Sequence, residues 1–498
     1  MKQINNSMSS LKTFTLLAAI AISNCLNAKQ FLVGPSRTYT RPSQLASLVN
    51  DNDTIYIEAA TYSNDAVKWT KKHLKIIGLV NNGNRPILQY SGDIPNGKGI
   101  FVFELNGAAD DPYIENLVFD GAQVSDANGA NGAGIRFQAC NLTVNHCKFL
   151  NCQNGILEGN SAVNSSNVTL INSEFFNNGY QLPNDPTFSG YEHNIYIGAS
   201  TDTLLVQNCY FHQPRGQANS LKTRAQRNFI LNNFIDEASG YGSWELNIAQ
   251  GGLCIIMGNV IIQGNASSNR GIIGYDAATN ALQDFYFIHN TVINKNIGTV
   301  QYFNVIPTSG ITNFVVRNNL FVSVSGSTTN MLSGNTPGNY INNNNVQSND
   351  LNNFGFKDIA NGKYQLTAAC STAIDAAINA GNSNTAYPLL PKFMYQSVDA
   401  PRYARTTQGA ANDIGAYEYT PNVSIPSLSG SGLLPIKLYP NPCYGLLQIE
   451  IPEGLNTGIL TLYNATGQCL RTIAINGQSH IEVDQIEGPV WVVLGFVK

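Results

Sequence analysis

The stretch Val316-Arg317-Asn318-Asn319-Leu320-Phe321 decides the fold of this chain, because related stretches return throughout the sequence. Each copy is a short apolar run, one or two small polar residues (usually Asn), and then another apolar pair. The copies recur at intervals of roughly 24 to 36 residues, a period typical of repeat architectures. They lie around Asn116, Cys147, Ser173, Cys209, Asn233, Asn259, Asn290, Asn319 and, more weakly, Asn344.

Each copy reads as a short strand, a polar turn and a second short strand, too brief to bury its own apolar side. Stacking the copies buries that side continuously. Strand-only repeats of this length predict an all-β fold, a single-stranded right-handed parallel β-helix. We expect the apolar residues beside each turn, such as Val144, Leu170, Val206 and Phe211, to point inward. The alternative, an Asn-rich loop protein without periodicity, does not explain the repeated apolar flanks.

The polar residue at each corner has two physical uses. Asn tolerates the left-handed conformation that a sharp turn needs. Its amide can also bond to the amides of the coils above and below, which forms a ladder. Cys147, Ser173 and Cys209 occupy the same place in earlier copies and are small enough to point inward. We therefore expect each corner residue to turn the chain and to face the interior.

The composition agrees with stacked β-turns and argues against one class of partner. Only 12% of the 498 residues are charged, against about 25% in typical soluble proteins. The net charge is −4, and 44 residues are Gly. No basic stripe with interleaved aromatic residues is present, so nucleic acid is not an expected partner.

The N-terminus has the features of an export signal. Lys2 and Lys12 precede the apolar run 13–22, and cleavage after Ala28 predicts a signal peptide at residues 1–28. A lipoprotein modified at Cys25 is the weaker alternative, because Asn24 is a poor neighbour for that processing. No other apolar run is long enough to span a bilayer, so we expect no transmembrane segment.

The nine cysteines predict buried thiols rather than crosslinks. Removal of Cys25 with the signal leaves eight, and Cys147 and Cys209 sit at inward corner positions. An oxidising compartment permits disulfides, but a buried thiol behaves as a small apolar group. No CxxC pair or metal-ligand spacing is present, so we expect no metal site, and the cofactor stays open.

The chain divides into four parts. We expect the β-helix over residues 29–420, with an N-capped helix at 42–49 covering its open end. Residues 52–62 resemble the opening coil of secreted β-helix proteins, and residues 413–419 resemble the closing strand of that group. Coils are expected to end near residue 350. Residues 421–434, rich in Pro, Ser and Gly, predict a linker.

The last part, residues 435–498, has the alternation of a small β-sandwich. Its motifs are Leu438-Tyr439-Pro440-Asn441-Pro442 with Gly445, then Leu462-Tyr463-Asn464-Ala465-Thr466-Gly467, then Gly488-Pro489-Val490-Trp491. Together they resemble the type A sorting domain of the type IX secretion system. The departures are Asn464, where Asp is usual, and Pro489, where Val-Tyr commonly follows Gly.

That resemblance implies a route and a location. The protein would enter the periplasm through its signal peptide, cross the outer membrane with the type IX machinery as partner, and lose this domain. It would then be secreted or held on the outer surface of a cell of the phylum Bacteroidota. The alternative for residues 435–498 is an accessory sandwich that binds sugar.

The most suggestive segment for chemistry runs from residue 191 to 252. Residues i and i+2 of a strand share a face, so Lys222 and Arg224 should project together while Leu221 points into the core. His193, one coil earlier, should lie alongside them with Tyr196. Two cations on one face are unusual in a chain with so few charges, and acidic polysaccharides need such a surface.

These residue types suit β-elimination of a uronate-containing glycan. Arg224 would clamp the carboxylate. Lys222, its pKa lowered by the neighbouring Arg, or else His193, would remove the proton, and Tyr196 would protonate the leaving oxygen. Glu192, Glu245 and Asn247 are the predicted substrate-binding residues. The repeat region resembles the broad pectate lyase-like superfamily, in which chondroitinase B-like and alginate lyases use Lys and Arg on one face.

Other interpretations stay open at this point. The protein could be a non-catalytic adhesin or glycan-binding surface protein. Lys222 and Arg224 could be solvated strand positions, with His193 bonded to a turn carbonyl. A hydrolase needs paired carboxylates, and the nearby acids Asp236, Glu237 and Glu245 form no Asp–Asp pair. Whether calcium is needed stays open, although no ligand spacing supports it. We expect a monomer.

Overall fold

The structure is a computed structural model that describes most of the chain. It covers residues 28–105, 110–159, 166–180, 191–237, 240–277, 279–307, 309–334 and 336–420, and the C-terminal strands given below. The predicted signal peptide, apart from residue 28, and the predicted linker lie outside the described residues. Two compact units, residues 1–421 and 422–498, are each treated by themselves.

The first unit consists of three long parallel sheets. Sheet 1 has twelve strands: Gln30–Val33, Thr54–Glu58, Lys75–Leu79, Tyr113–Glu115, Leu142–Asn145, Ser166–Ile171, Thr201–Gln207, Arg227–Leu231, Leu253–Met257, Asp284–Ile288, Asn313–Arg317 and Tyr340–Asn343. Sheet 2 has eleven: Thr61–Ser63, Ile87–Gln89, Val118–Asp120, Lys148–Leu150, Glu174–Phe176, Tyr210–His212, Phe234–Asp236, Val260–Gln263, Thr291–Asn294, Leu320–Ser323 and Val346–Ser348. Sheet 3 has ten: Val67–Trp69, Gly99–Glu104, Ala133–Gln138, Asn154–Glu158, His193–Ile197, Asn219–Thr223, Leu246–Ile248, Gly271–Asp276, Gly298–Ile306 and Ser327–Leu332.

The chain visits sheets 1, 2 and 3 in turn and then starts the next coil. Each strand therefore pairs in parallel with the equivalent strand one coil away, as Val206 does with Ile230 and Phe211 with Ile235. This is the predicted right-handed parallel β-helix, and the fold prediction is confirmed. The last parallel strand ends at Ser348, close to the predicted end of the coils near residue 350.

The corner between sheets 1 and 2 uses two residues, where we expected one. The first has positive φ and makes the turn, as Asn208 (φ 54°) and Asn232 (φ 55°) do. The second, such as Cys209 or Asn233, is fully buried. The expectation that one residue does both was wrong, and in the last copy the turn residue is Asn344 while the ladder residue is Asn345.

The second corner residues form the expected ladder. The Nδ2 of Asn233 donates to Oδ1 of Asn259 at 3.0 Å, and Asn259 donates to Asn290 at 2.9 Å. Asn290 donates to Asn319 at 3.2 Å, and Asn319 to Asn345 at 2.9 Å. In each case the same Oδ1 also accepts a backbone N–H from the preceding coil. These bonds hold consecutive coils in register within the core.

The interior is apolar and close-packed. Phe119, Phe149, Phe175 and Phe211 stack in a column, with ring centroids 5.0, 4.9 and 4.7 Å apart. The four residues predicted to point inward, Val144, Leu170, Val206 and Phe211, are all fully buried in this core.

The cysteines that the structure describes in this unit are free and buried, as predicted. They are Cys140, Cys147, Cys152, Cys209, Cys254 and Cys370. Burial raises the pKa of the Cys147 thiol to about 12, which makes it unreactive.

The cap at the open end is shorter than predicted. A 3₁₀ helix covers Pro42–Leu45, and its N-cap is Arg41. Pro42 suits the first helical position because it has no N–H to leave unpaired. Ser43 instead donates its backbone N–H to Asp65 at 3.0 Å. Leu45 and Val49 are buried against the first coil, which closes the end of the core.

The segment 351–420 leaves the coil pattern, as expected, and packs on the outside of sheet 2. Its elements are the 3₁₀ turns Leu351–Asn353 and Ile359–Asn361, the antiparallel pair Phe356–Asp358 and Lys363–Leu366, and the pair Phe393–Met394 and Tyr403–Ala404. A further 3₁₀ turn, Asp126–Asn128, lies within one coil, between the strands Val118–Asp120 and Ala133–Gln138. Leu351, Phe356 and Tyr364 share a second apolar cluster with Ile262 and Leu320 of sheet 2.

Residues 413–419 do not form the predicted closing strand. This stretch lies against a corner, where Gly415 N–H donates to Asn318 O at 2.9 Å and Ala416 N–H donates to Thr291 Oγ1 at 3.0 Å. A buried ion pair of 2.6 Å between Arg405 and Glu418 fixes it there. The apolar residues of the segment 413–419 are buried against the outside of the coils. Burial therefore accounts for the apolar pattern of this segment without strand pairing.

The second unit contains two antiparallel sheets of three strands. One is formed by Lys437–Tyr439, Gly445–Glu450 and His480–Ile486, and the other by Cys469–Asn476, Thr457–Asn464 and Val490–Gly495. The alternation predicts strands at residues 446–451, 458–463 and 490–493, and the observed strands begin and end within two residues of these bounds. Leu460 and Leu462 of one sheet and Ile481 and Val483 of the other are buried.

In the part of the chain that the structure describes, there is no helix of the length and apolar character needed to cross a membrane.

Candidate functional site: a cationic cleft on sheet 3

A cleft of about 680 Å³ lies on the outer face of sheet 3 and is called the cleft below. The four predicted catalytic residues, Lys222, Arg224, His193 and Tyr196, all line it. The register explains why: Tyr196 pairs with Lys222 across neighbouring strands, so both project from the same face. Leu221, the residue before Lys222, points to the opposite face of the strand and is fully buried in the core, as predicted.

Tyr196 lies close to both cations. The Lys222 ammonium lies 5.6 Å from the centroid of the Tyr196 ring, and the Arg224 guanidinium carbon lies 5.9 Å from it. Arg224 Nε also donates a hydrogen bond of 2.9 Å to the Tyr196 hydroxyl oxygen. Because that oxygen is an acceptor here, its own proton is free to be donated into the cleft.

Burial lowers the pKa of Lys222, and the positive charge of Arg224 lowers it further, while Asp276 acts in the opposite direction. Burial raises the pKa of Asp276 itself, against the effect of the two cations. Asp276 lies on the strand Gly271–Asp276 of the same sheet. A lysine with a depressed pKa is a better proton acceptor near neutral pH than an ordinary one.

His193 is buried and neutral. Its Nδ1 accepts the backbone N–H of Asn219 at 3.2 Å, and its own backbone N–H donates to Asn154 Oδ1 at 3.0 Å. Burial, Lys222 and Arg224 together hold the pKa of His193 well below its usual range. With Nδ1 occupied as an acceptor, the ring proton is on Nε2, so His193 offers a donor rather than a base. The alternative of a bond to a turn carbonyl was wrong.

The predicted substrate-binding acids are elsewhere. Glu192 and Glu245 are each 1% exposed, and neither lines the cleft. Glu245 lies against Glu237, and burial together with the charge of Glu237 raises its pKa well above the usual range. Glu237 accepts the backbone N–H groups of Gly242 and Gly264 at 2.8 and 2.9 Å. This placement does not support direct contact of Glu192 or Glu245 with substrate.

Asn247 lies next to the cleft. It pairs with Lys222 across the strands and is half-buried, but it is not among the residues that line the cleft. A ligand extended past Lys222 along the sheet would meet Asn247 next.

Two charged residues that line the cleft were not predicted from the sequence: Arg136 and Glu158. Glu158 is 3% exposed and accepts bonds from Gly198 N–H at 2.7 Å and Thr201 Oγ1 at 2.8 Å. Burial raises its pKa to about 7. Arg136 had a sequence signal, since it stands 11 residues before the corner residue Cys147, as Lys222 stands 11 residues before Asn233.

The donor set of the cleft is that of an anion site. Arg136, Lys222 and Arg224 supply positive charge, whereas the Glu158 carboxyl is committed to its own donors. Among the described residues, no group of three or more His, Cys, Asp or Glu side chains is placed to hold a metal ion.

No family model matches the chain, and no curated protein matches it significantly. Among solved structures, the chain is similar to that of pectate lyase Pel9A, with 15% sequence identity and a TM-score of 0.43. The match covers 79% of this chain and 96% of that one.

Proposed function

We propose that this protein binds an acidic polysaccharide in the cleft and cleaves it by β-elimination. One observation carries the proposal: Lys222, Arg224 and Tyr196 line the same cleft, and both cations lie within 6 Å of the Tyr196 ring. Cations that surround a hydroxyl donor suit a reaction in which negative charge develops and a leaving oxygen needs a proton.

The roles follow from the contacts. Arg224 neutralises the uronate carboxylate, which makes the adjacent C–H more acidic. Lys222, in the deprotonated form that its lowered pKa favours, takes that proton, and the electron pair of the C–H bond becomes a carbon–carbon double bond as the bond to the leaving oxygen breaks. Tyr196 protonates the leaving oxygen, and its phenolate is held by the hydrogen bond from Arg224 Nε until solvent restores both groups.

His193 has a different role from the one expected of it. Its Nε2–H can donate to the substrate, while the backbone N–H of Asn219 fixes the ring by bonding to Nδ1. Lys222 is then the base of the proposed reaction.

The second candidate, a non-catalytic adhesin, rests on the same cations. An ammonium over an aromatic ring is stabilised in its charged form, which favours holding an anion over taking a proton. In this case the cleft binds the polyanion and releases it unchanged.

A panel of pectate, alginate and glycosaminoglycan substrates separates the two. A lyase releases an unsaturated product that absorbs in the ultraviolet. Tyr196→Phe should lower the rate by about 10² to 10⁴ with binding retained, and Lys222→Ala should lower the rate and also weaken binding, because it removes a cation from the cleft. Lys68→Ala, outside the cleft on the same sheet, should leave the rate unchanged. Binding without product in the wild-type protein would favour the adhesin, and no binding at all would refute both.

We also propose export through the type IX system, supported by the signal-like N-terminus and the three motifs of residues 435–498. The mature protein would then act outside the cell or on its surface. An extracellular location agrees with a polymeric substrate that cannot enter the cell.

A further inference from the structure

Arg136 lies in the same outward-facing row as the residues of the proposed reaction. It pairs with Leu157, Leu157 pairs with Tyr196, and Tyr196 pairs with Lys222. Adjacent strands are about 4.8 Å apart, so Arg136 and Lys222 are separated by about 14 Å along the helix axis, the length of roughly three sugar units in an extended chain.

Arg136 lacks a counterion. Among the described residues, no carboxylate forms an ion pair with it, and its Nε is buried without a hydrogen-bond partner. Glu104, on the neighbouring strand, pairs instead with Lys68 and Lys98. Burial lowers the pKa of Arg136. A half-buried guanidinium without a partner is costly, and a bound carboxylate or sulfate offsets that cost with matched geometry.

The surface between Arg136 and Lys222 suits the body of a sugar chain. Leu157, 8% exposed, and the ring of Tyr196 form the floor of the cleft there. Tyr191, 74% exposed, rises at its edge. The cleft is therefore continuous from one cationic end to the other, with an apolar floor in the middle.

We propose that Arg136 forms a second anion subsite of the cleft, and that the ligand is a linear polyanionic glycan lying along the helix axis. This inference rests on the proposed function, since it takes the Lys222 and Arg224 end as the first subsite. The acidic groups that it requires belong to sugars that are not adjacent, because three strand spacings separate the two ends. A short oligosaccharide fills only one end, whereas a longer one reaches both.

The prediction is a dependence of affinity on ligand length. Arg136→Gln should weaken binding of long oligosaccharides about tenfold or more, because a hydrogen bond to a charged group is lost, and should leave the shortest ones unaffected. Arg136→Lys should retain part of the affinity. Lys222→Gln should weaken binding at every length, because it removes the first subsite.

The test uses isothermal titration of the full chain with size-fractionated oligogalacturonate, oligoalginate and chondroitin sulfate oligosaccharides. Lys68→Gln is the matched control, because Lys68 lies in the same row through Val102 and Arg136 but is paired with Glu104. Circular dichroism and a melting curve verify that each variant is folded.

The outcomes separate the two proposals. If Arg136→Gln weakens all lengths equally, or none, while Lys222→Gln still weakens binding, the second subsite is refuted and the proposed function stands. If Lys222→Gln has no effect on any length, the proposed function fails. If no series binds the wild-type protein, both fail.

Discussion

The corner ladder makes a quantitative prediction about stability, with Asn259→Ala as the perturbation. Asn259 is fully buried. Its Oδ1 accepts the backbone N–H of Asn233 at 2.9 Å and the Nδ2 of Asn233 at 3.0 Å. Its Nδ2 donates to Ile230 O at 2.8 Å and to Asn290 Oδ1 at 2.9 Å. The substitution removes all four bonds from the core at once.

The cost follows from what each partner loses. The backbone N–H of Asn233 is left without its acceptor, at about 1–3 kcal/mol, and the other lost bonds add about 1 kcal/mol or less each, for a total of about 3–5 kcal/mol. Asn259→Ser should cost less, about 1–2 kcal/mol, because a serine at this position can still accept. Ser173 shows this, since its Oγ accepts the backbone N–H of Cys147 at 3.1 Å.

Urea denaturation followed by circular dichroism measures the effect as a shift of the midpoint at unchanged slope. Asn330→Ala, an exposed asparagine on the strand Ser327–Leu332, is the matched control and should change stability by less than about 0.5 kcal/mol. The ladder reasoning is refuted if Asn259→Ala is as stable as this control. It is also refuted if the serine variant is less stable than the alanine variant.

Three further predictions concern buried acids, thiols and export. Because the pKa of Glu237 is raised by burial to about 7, above its ordinary 4.5, its protonated form is favoured in the fold, and this contribution to stability is lost as pH rises from about 4.5 through about 7. The melting temperature should therefore fall between about pH 5 and about pH 8. Glu245→Gln should make that fall less steep, and a steeper fall in the variant would contradict the prediction. The six described cysteines should resist a thiol reagent in the native protein and react after denaturation without reductant, whereas failure to react would reveal disulfides. Deleting residues 435–498 should trap the protein in the periplasm, and normal export of the truncated chain would overturn the sorting assignment.

Most of the fold could be read from the sequence, because each repeat has an apolar flank that only stacking can bury. Val206 and Phe211 were predicted to point inward because they are apolar residues beside a turn, and both are fully buried in the structure. Residues 413–419 show where this reasoning stops. A short stretch of sequence indicates which side chains must be buried. It does not indicate whether the backbone pairs with a strand or, as at Gly415, donates to a corner carbonyl.

The candidate site was predicted in part for the same reason. Lys222, Arg224 and Tyr196 come from neighbouring strands, where simple alternation holds. Simple alternation fails at Glu245, which is buried beside the equally buried Leu246, so this predicted substrate-binding residue does not face the cleft. Arg136 was missed because it lies outside the segment 191–252 on which the site prediction rested; strand register places it in one row with Tyr196, through Leu157.

The central claim, that the cleft recognises acidic groups on a glycan through Lys222 and Arg224, is tested most directly by removing the charge from the ligand. The affinity of an acidic oligosaccharide and of its carboxyl-reduced, neutral form is measured for the wild-type protein and for the Lys222→Gln/Arg224→Gln double variant. We predict that the wild-type protein prefers the acidic form by about tenfold or more and that the double variant has no preference. Equal affinity of the wild-type protein for both forms, or a preference that survives in the double variant, would contradict the claim.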